Sequence, residues 1–222
     1  VGRSQEIMLV LEEAMRTGKI PEMPIHLDGM IWEATAIHTT YPEYLRDDLR
    51  DRIFHDDENP FLADQFNHID AGEDERQEVA DGDQCIILST SGMVTGGPIM
   101  SWLRHLGTDN DSRLVFVGYQ AQGTMGRRIQ NGWDEIPVSD GYGGGRSNTL
   151  SLNMDVSTVD GFSGHADRKG LMDFVRTMNP RPEKVLCVHG DERSVQDLSS
   201  ALYHEFNMRT FAPKNLETFR FK

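Results

Sequence analysis

Twice in the middle of this chain a short apolar run leads into a glycine-rich turn and then into a helical pattern. In residues 84–89 (QCIILS), Cys85, Ile86, Ile87 and Leu88 form a continuous apolar stretch, as expected of a strand covered on both faces. A glycine turn follows at 91–97, then a helix over 98–106 with Pro98 near its first position. The device repeats with a buried strand at 113–118 (RLVFVG) and a turn and helix at 123–131. Strand, glycine turn and helix in succession specify an α/β fold, with a parallel-rich sheet flanked by helices.

The rest of the chain fits around that centre. Ile7, Met8, Leu11 and Met15 recur at helical spacing over 5–16, and Gly18 and Pro21 end that helix. A short strand is predicted at 24–27 (PIHL), with helices at 30–39 and 42–52. Residues 54–81 are acid-rich and aperiodic, which predicts loops with one short helix. Five glycines between 132 and 145 suit a flexible or hairpin-like connection, and 150–159 alternates as a strand. A helix at 168–178, a buried strand at 184–188 (KVLCV) and a helix at 192–206 complete the pattern. Most of the methionines fall at core positions and count as packing rather than as metal ligands.

With 222 residues the chain can bury a sizeable core. No apolar run approaches the roughly 20 residues that span a bilayer, so no membrane association is expected. Arg3, Gln5 and Glu6 interrupt any apolar start, and Val1 opens directly on a helical pattern. That predicts no signal peptide and a start inside a larger protein. Cys85 and Cys187 sit in separate strand runs, which predicts free thiols and a cytoplasmic protein. A net charge of −14 argues against nucleic acid as a partner. Yet lysine occurs only at 19, 169, 184, 214 and 222, while aspartates cluster, as at 47, 48 and 51. Such a balance suits a salt-rich (halophilic) cytosol, where molar salt cuts the Debye length to about 3 Å and global charge predicts partners poorly.

Chemistry concentrates at the strand ends. Residues 161–167 (GFSGHAD) place His165 and Asp167 between a strand and a helix, among small residues that let a ligand approach. Residues 188–191 (VHGD) deliver His189 by the same device, 24 residues later. A histidine at a helix start is more often a cap or a surface group, but two such endings in consecutive units point to one shared site. Ser89, Thr90, Ser91 and Gly92 form a turn whose hydroxyls and backbone N–H groups can cradle anions. Gly123, Thr124 and Arg127 form a similar turn with added cations, and neither has the lysine of a P-loop. Together they suit a polyanion with repeated phosphates.

These segments carry a resemblance. VGRSQE at 1–6, STSGMVTGG at 89–97, GYQAQGTMGRR at 118–128, FSGHAD at 162–167 and VHGD at 188–191 resemble, in order, the β-CASP metallo-β-lactamase ribonucleases. The likeness is to the archaeal proteins similar to the cleavage and polyadenylation specificity factor nuclease, which APKNL at 212–216 also fits. It implies a β-CASP domain over 1–158, lacking its first strand, and the C-terminal piece of a metallo-β-lactamase αββα sandwich over 159–222. It implies a zinc-dependent RNA endonuclease, with a possible 5′–3′ exonuclease mode, in which two zinc ions activate a water. On that pattern His165 and Asp167 are catalytic, His189 ligates zinc, and Arg3, Ser4, Ser89, Thr90, Ser91, Gly92, Gly123, Thr124 and Arg127 line the RNA path. Relatives tend to carry KH domains at the N-terminus and to form homodimers through the C-terminal region.

One departure limits this. The family's His-x-His-x-Asp-His cluster is absent; the histidines are 26, 38, 55, 68, 105, 165, 189 and 204, and no two lie two apart. The expectation is that the full protein is a nuclease in mRNA 3′-end processing or transcription termination and that this chain alone is inactive. The alternatives are a non-catalytic RNA-binding or assembly subunit of the same fold, and an acidic α/β phosphate-binding protein unrelated to it.

Overall fold

The computed structural model describes residues 2–70, 72–139, 147–162 and 164–220. Two compact units divide the chain between Gly164 and His165. Most of the glycine cluster at 132–145 and Ser163 of the FSGHAD segment lie outside the described residues.

The first unit opens with α1 (Arg3–Arg16), β1 (Ile25–Asp28) and α2 (Ile31–Thr40). After α3 (Asp47–His55) come β2 (Phe66–His68), α4 (Glu73–Ala80) and β3 (Ile86–Ser89). The three strands form one parallel sheet in the order β2-β1-β3, with Ile25 opposite both Phe66 and Ile86. Crossovers by helices permit that parallel order. Met8, Met15, Ile25, Leu27, Ile31 and Phe61 form the core beneath it.

Two expectations need correction here. The stretch 54–81 contains a strand, β2, as well as a helix. The helix expected over 42–52 is instead a single 3₁₀ turn at Pro42–Tyr44 and a separate α3. Leu45 and Arg46 are extended between them, and Asp47 and Asp48 then occupy the first turn of α3, where negative charge suits the helix dipole.

The unit continues through α5 (Ile99–Leu106), β4 (Arg113–Phe116) and α6 (Met125–Gln130). An antiparallel hairpin of β5 (Glu135–Ser139) and β6 (Ser147–Ser151) follows, then β7 (Asp155–Thr158), which pairs parallel with β4. The hairpin meets the expectation for 132–150, whereas the single strand expected over 150–159 is divided. Leu152 turns into the core with Val94, Leu103, Phe116, Ile129 and Ile136, and so interrupts the run. The run 113–118 is not buried on both faces either. Arg113 and Val115 are exposed because β4 belongs to a two-stranded sheet packed on one side only. Likewise β3 is half-buried along its whole length.

The second unit holds α7 (Arg168–Thr177), β8 (Lys184–Leu186), α8 (Glu192–Phe206) and β9 (Arg209–Phe211). β8 and β9 pair parallel across α8, and Asn207, left-handed at φ 52, ends that helix and turns the chain into β9. Met172, Val175, Cys187, Leu202 and Met208 form its core. No helix among the described residues is long and apolar enough to cross a membrane.

Candidate functional site

In the second unit β8 carries the chain to His189, which is exposed and adopts φ 64. A side chain with a Cβ is disfavoured there, and residues held in such backbone regions concentrate at ligand sites. His189 and Gly190 line a concavity of about 370 Å³ together with Arg168, Leu171, Cys187 and Val188. Arg168, which opens α7 one residue after Asp167, lines the same depression, whereas His165 and Asp167 are not among its lining residues. His165 is exposed on the approach to α7. Asp167 caps that helix, its carboxylate accepting the Gly170 N–H at 2.7 Å.

Among the described residues no three His, Cys, Asp or Glu side chains come together as a metal-binding group. A catalytic zinc takes about three protein ligands. The thiol lining the same concavity, Cys187, is buried, and burial pushes its pKa up, against the thiolate a metal prefers. The described residues therefore do not by themselves fit a zinc site; His189 can supply one ligand of a set.

In the first unit the remaining motifs converge through two side chains. Arg3 donates from Nε to the Phe162 carbonyl at 2.8 Å, and its guanidinium lies against Gly118, where a Cβ would stand 2.1 Å from Nη1. Gln120 is almost fully buried and donates from Nε2 to the carbonyls of Gly92 at 2.7 Å and Gly118 at 3.2 Å. Its Oε1 faces Gly126, where a Cβ would lie 1.8 Å away, and Gly126 N–H donates to Met93 O at 3.0 Å. The amide thus bolts the turn at 89–97 to the segment 118–128. Sequence reasoning gives Gln120 no role, because nothing in GYQAQG tells the buried Gln120 from the exposed Gln122.

The predicted phosphate-facing hydroxyls are partly committed to building their turns. Ser89 Oγ donates to Thr90 O at 3.3 Å, and Ser91 Oγ accepts the Thr95 N–H at 3.0 Å. Thr124 caps α6 by accepting the Arg127 N–H at 3.3 Å and donates to Ala121 O at 2.7 Å. Ser4 and Thr90 share a small hollow of about 40 Å³ with Gln5, Met30, Ile31 and Ala34. Gly92 and Gly123 are exposed at their turns. Arg127 lies over the Tyr119 ring, 5.7 Å from its centroid, and Arg128 lies over Trp133 at 4.7 Å.

Residues 4–129, more than half of the chain, match the model of the Beta-Casp domain. The chain belongs to the Beta-Casp family. Residues 149–213 of this Beta-Casp protein further match the Zn-dependent metallo-hydrolase RNA specificity domain. The chain is 53% identical over 220 residues to the transcription termination factor FttA of Methanosarcina mazei, with 99% of the chain aligned. It is 50% identical over 223 residues to that of Thermococcus kodakarensis and 43% identical over 217 to that of Lokiarchaeum sp., with 100% and 98% of the chain aligned. In each case the alignment takes in 34% of the relative, so the chain spans about a third of the length of the curated relatives it matches. The family expected from five short segments is therefore the family found.

Proposed function

We propose that this chain is the RNA-gripping part of a zinc-dependent endonuclease that acts at transcript 3′ ends, in termination or end processing. The observation that carries the reading is His189, held at φ 64 and exposed at a concavity that Arg168, the residue after the other histidine motif, also lines. The relatives' name, transcription termination factor, and the match to an RNA specificity domain support RNA as the substrate class. In this reading residues 1–158 form the β-CASP domain and 159–222 the segment that re-enters the metallo-hydrolase sandwich.

His189 supplies one zinc ligand, and its partners come from the part of the relatives' length that this chain does not span. His165, exposed on the approach to α7, protonates the leaving oxygen of the cut phosphodiester. Asp167 fixes the start of α7 and so the position of Arg168 at the concavity. Arg3, Ser4, Ser89, Thr90, Ser91, Gly92, Gly123, Thr124 and Arg127 lie along the RNA path; with three hydroxyls engaged in their turns, Arg127 and backbone N–H groups carry most of the phosphate contact. A homodimer through the C-terminal region completes the proposal, supported by Leu216, which is 95% exposed there.

The test is zinc content, RNA cleavage and mass by light scattering for the intact gene product at high salt, beside His189→Ala. The expected result is a dimer that holds zinc and cuts RNA, and a variant that loses zinc and at least about 100-fold in cleavage while still binding RNA. An intact protein that binds RNA without zinc and never cuts it would instead be a non-catalytic assembly subunit.

A further inference from the structure

We propose that the exposed face of α6 and its flanks form a stacking platform for unpaired RNA bases, with Tyr119 and Trp133 as the seats and Arg127 and Arg128 as the cations. The proposal rests on the RNA reading above and adds to it a preference for single strands. Tyr119 is 53% exposed and Trp133 49% exposed, so each ring offers about half its surface to a partner. Each carries an arginine over its face. The chain holds 36 acidic against 22 basic residues, and many of its arginines find carboxylates, as Arg52 does with Glu12 and Arg76 with Asp28, each at 2.8 Å. Among the described residues Arg127 and Arg128 have no ion-pair partner. Two cations without an ion-pair partner among the described residues, over two half-exposed rings in a chain with surplus acid, complement a partner that brings both phosphates and π-faces.

The platform is rigid. Thr124 caps α6, Gly126 and Ile129 bury its inner side, and Gln130 Nε2 donates to Thr158 Oγ1 at 3.0 Å, tying its end to β7. The backbone at Trp133 is tied to α6, its main-chain N–H donating to Arg128 O at 3.0 Å. Rings and guanidinium planes fixed in this way lose little entropy when a base stacks on them, and any base can do so, because every base has a π-face. Duplex RNA hides those faces in its own stack, so the same surface offers it only charge. The platform also adjoins the turn at 118–124, which extends the RNA path beyond the residues that the motifs mark.

The deciding experiment measures binding of a labelled unpaired ten-nucleotide RNA and of the corresponding blunt duplex to the 222-residue chain. Variants are Trp133→Ala, Tyr119→Ala, Trp133→Phe and Arg128→Lys. Stacking of about 1–3 kcal/mol per base predicts that each alanine variant weakens single-strand binding on the order of tenfold and leaves duplex binding within about twofold. Trp133→Phe retains most of the affinity, and Arg128→Lys loses part of it despite keeping the charge. Alanine variants that bind the single strand like the parent, or a parent that binds the duplex as tightly as the single strand, overturn the platform while leaving the nuclease reading standing. A chain that binds neither RNA overturns the platform and the RNA-gripping role together.

Discussion

Asp28 closes the central strand of the first sheet with its carboxylate almost wholly buried. It is held by three donors: Arg76 Nε at 2.8 Å, Arg76 Nη2 at 3.1 Å and Trp102 Nε1 at 2.7 Å. Those bonds tie β1 to α4 and α5, and Glu73 extends the network by accepting from Ser101 Oγ at 2.6 Å. A buried pair of this kind adds little over an apolar replacement, but breaking it leaves a charge without its counterpart. Asp28→Asn keeps the shape, leaves the Arg76 guanidinium without its counter-charge and turns an amide N–H₂ toward existing donors. We expect a loss of about 3 kcal/mol in urea unfolding, with most of it recovered in Asp28→Leu/Arg76→Met. A loss below about 1 kcal/mol would mean that the network does not secure the strand.

The contact of α1 with α3 shows the same chemistry between elements, and it is sensitive to pH. Glu12 on α1 accepts from Arg52 on α3 at 2.8 and 3.1 Å and from Arg16 one turn along its own helix at 3.0 Å. The Arg52 hydrogen bonds hold its pKa below the ordinary value of 4.5. A carboxylate depressed in the folded state adds stability that is fully present above its unfolded pKa and is lost as pH falls through the folded value. The difference between the parent and Glu12→Gln is therefore expected to be about 2 kcal/mol and flat above pH ~5, then to shrink toward zero as the solution is acidified. A difference that grows on acidification would show that the pair does not stabilise the fold. Neither charge network is legible in the sequence, where Glu12 is one acid on an amphipathic helix and Asp28 one residue past an apolar strand. What is legible is local: β3, β4 and β8 announce themselves by apolar runs, and α8 by Val195, Leu198, Leu202 and Phe206 on one face. β2 and β9 escape notice because each is three residues long and owes its strand state to a parallel neighbour rather than to its own pattern. The site divides in the same way. Turns and histidines are marked by glycine and by spacing, whereas Gln120 and the pairing of Arg128 with Trp133 exist only once the chain has folded.

For the whole molecule the governing quantity is the surplus of 14 negative charges. Salt acts on it in two opposed ways. It weakens attractive pairs such as Arg46–Asp48 at 2.8 Å and Arg113–Asp155 at 2.9 Å, but these are well exposed and contribute little. It also weakens repulsion within clusters such as Asp47, Asp48 and Asp51, and across the remaining surplus. At 0.1 M salt the Debye length is about 10 Å and repulsion reaches past nearest neighbours; at 1 M it is about 3 Å and only touching pairs still feel each other. Long-range repulsion therefore fades faster than contact attraction, while the buried pairs at Asp28 and Glu12 are screened least. We expect the unfolding temperature at pH 7 to rise by about 5 °C or more between 0.1 and 1 M KCl, equivalent to roughly 2 kcal/mol for a chain of this size. Chloride is the right anion for the measurement, because sulfate would stabilise almost any fold by exclusion. Near pH 4.9, where the net charge vanishes, the rise should disappear. An unfolding temperature that stays level or falls with KCl at pH 7 would show that the acidic surplus is no adaptation to salt, and the chain's charge would then weigh against an RNA partner after all.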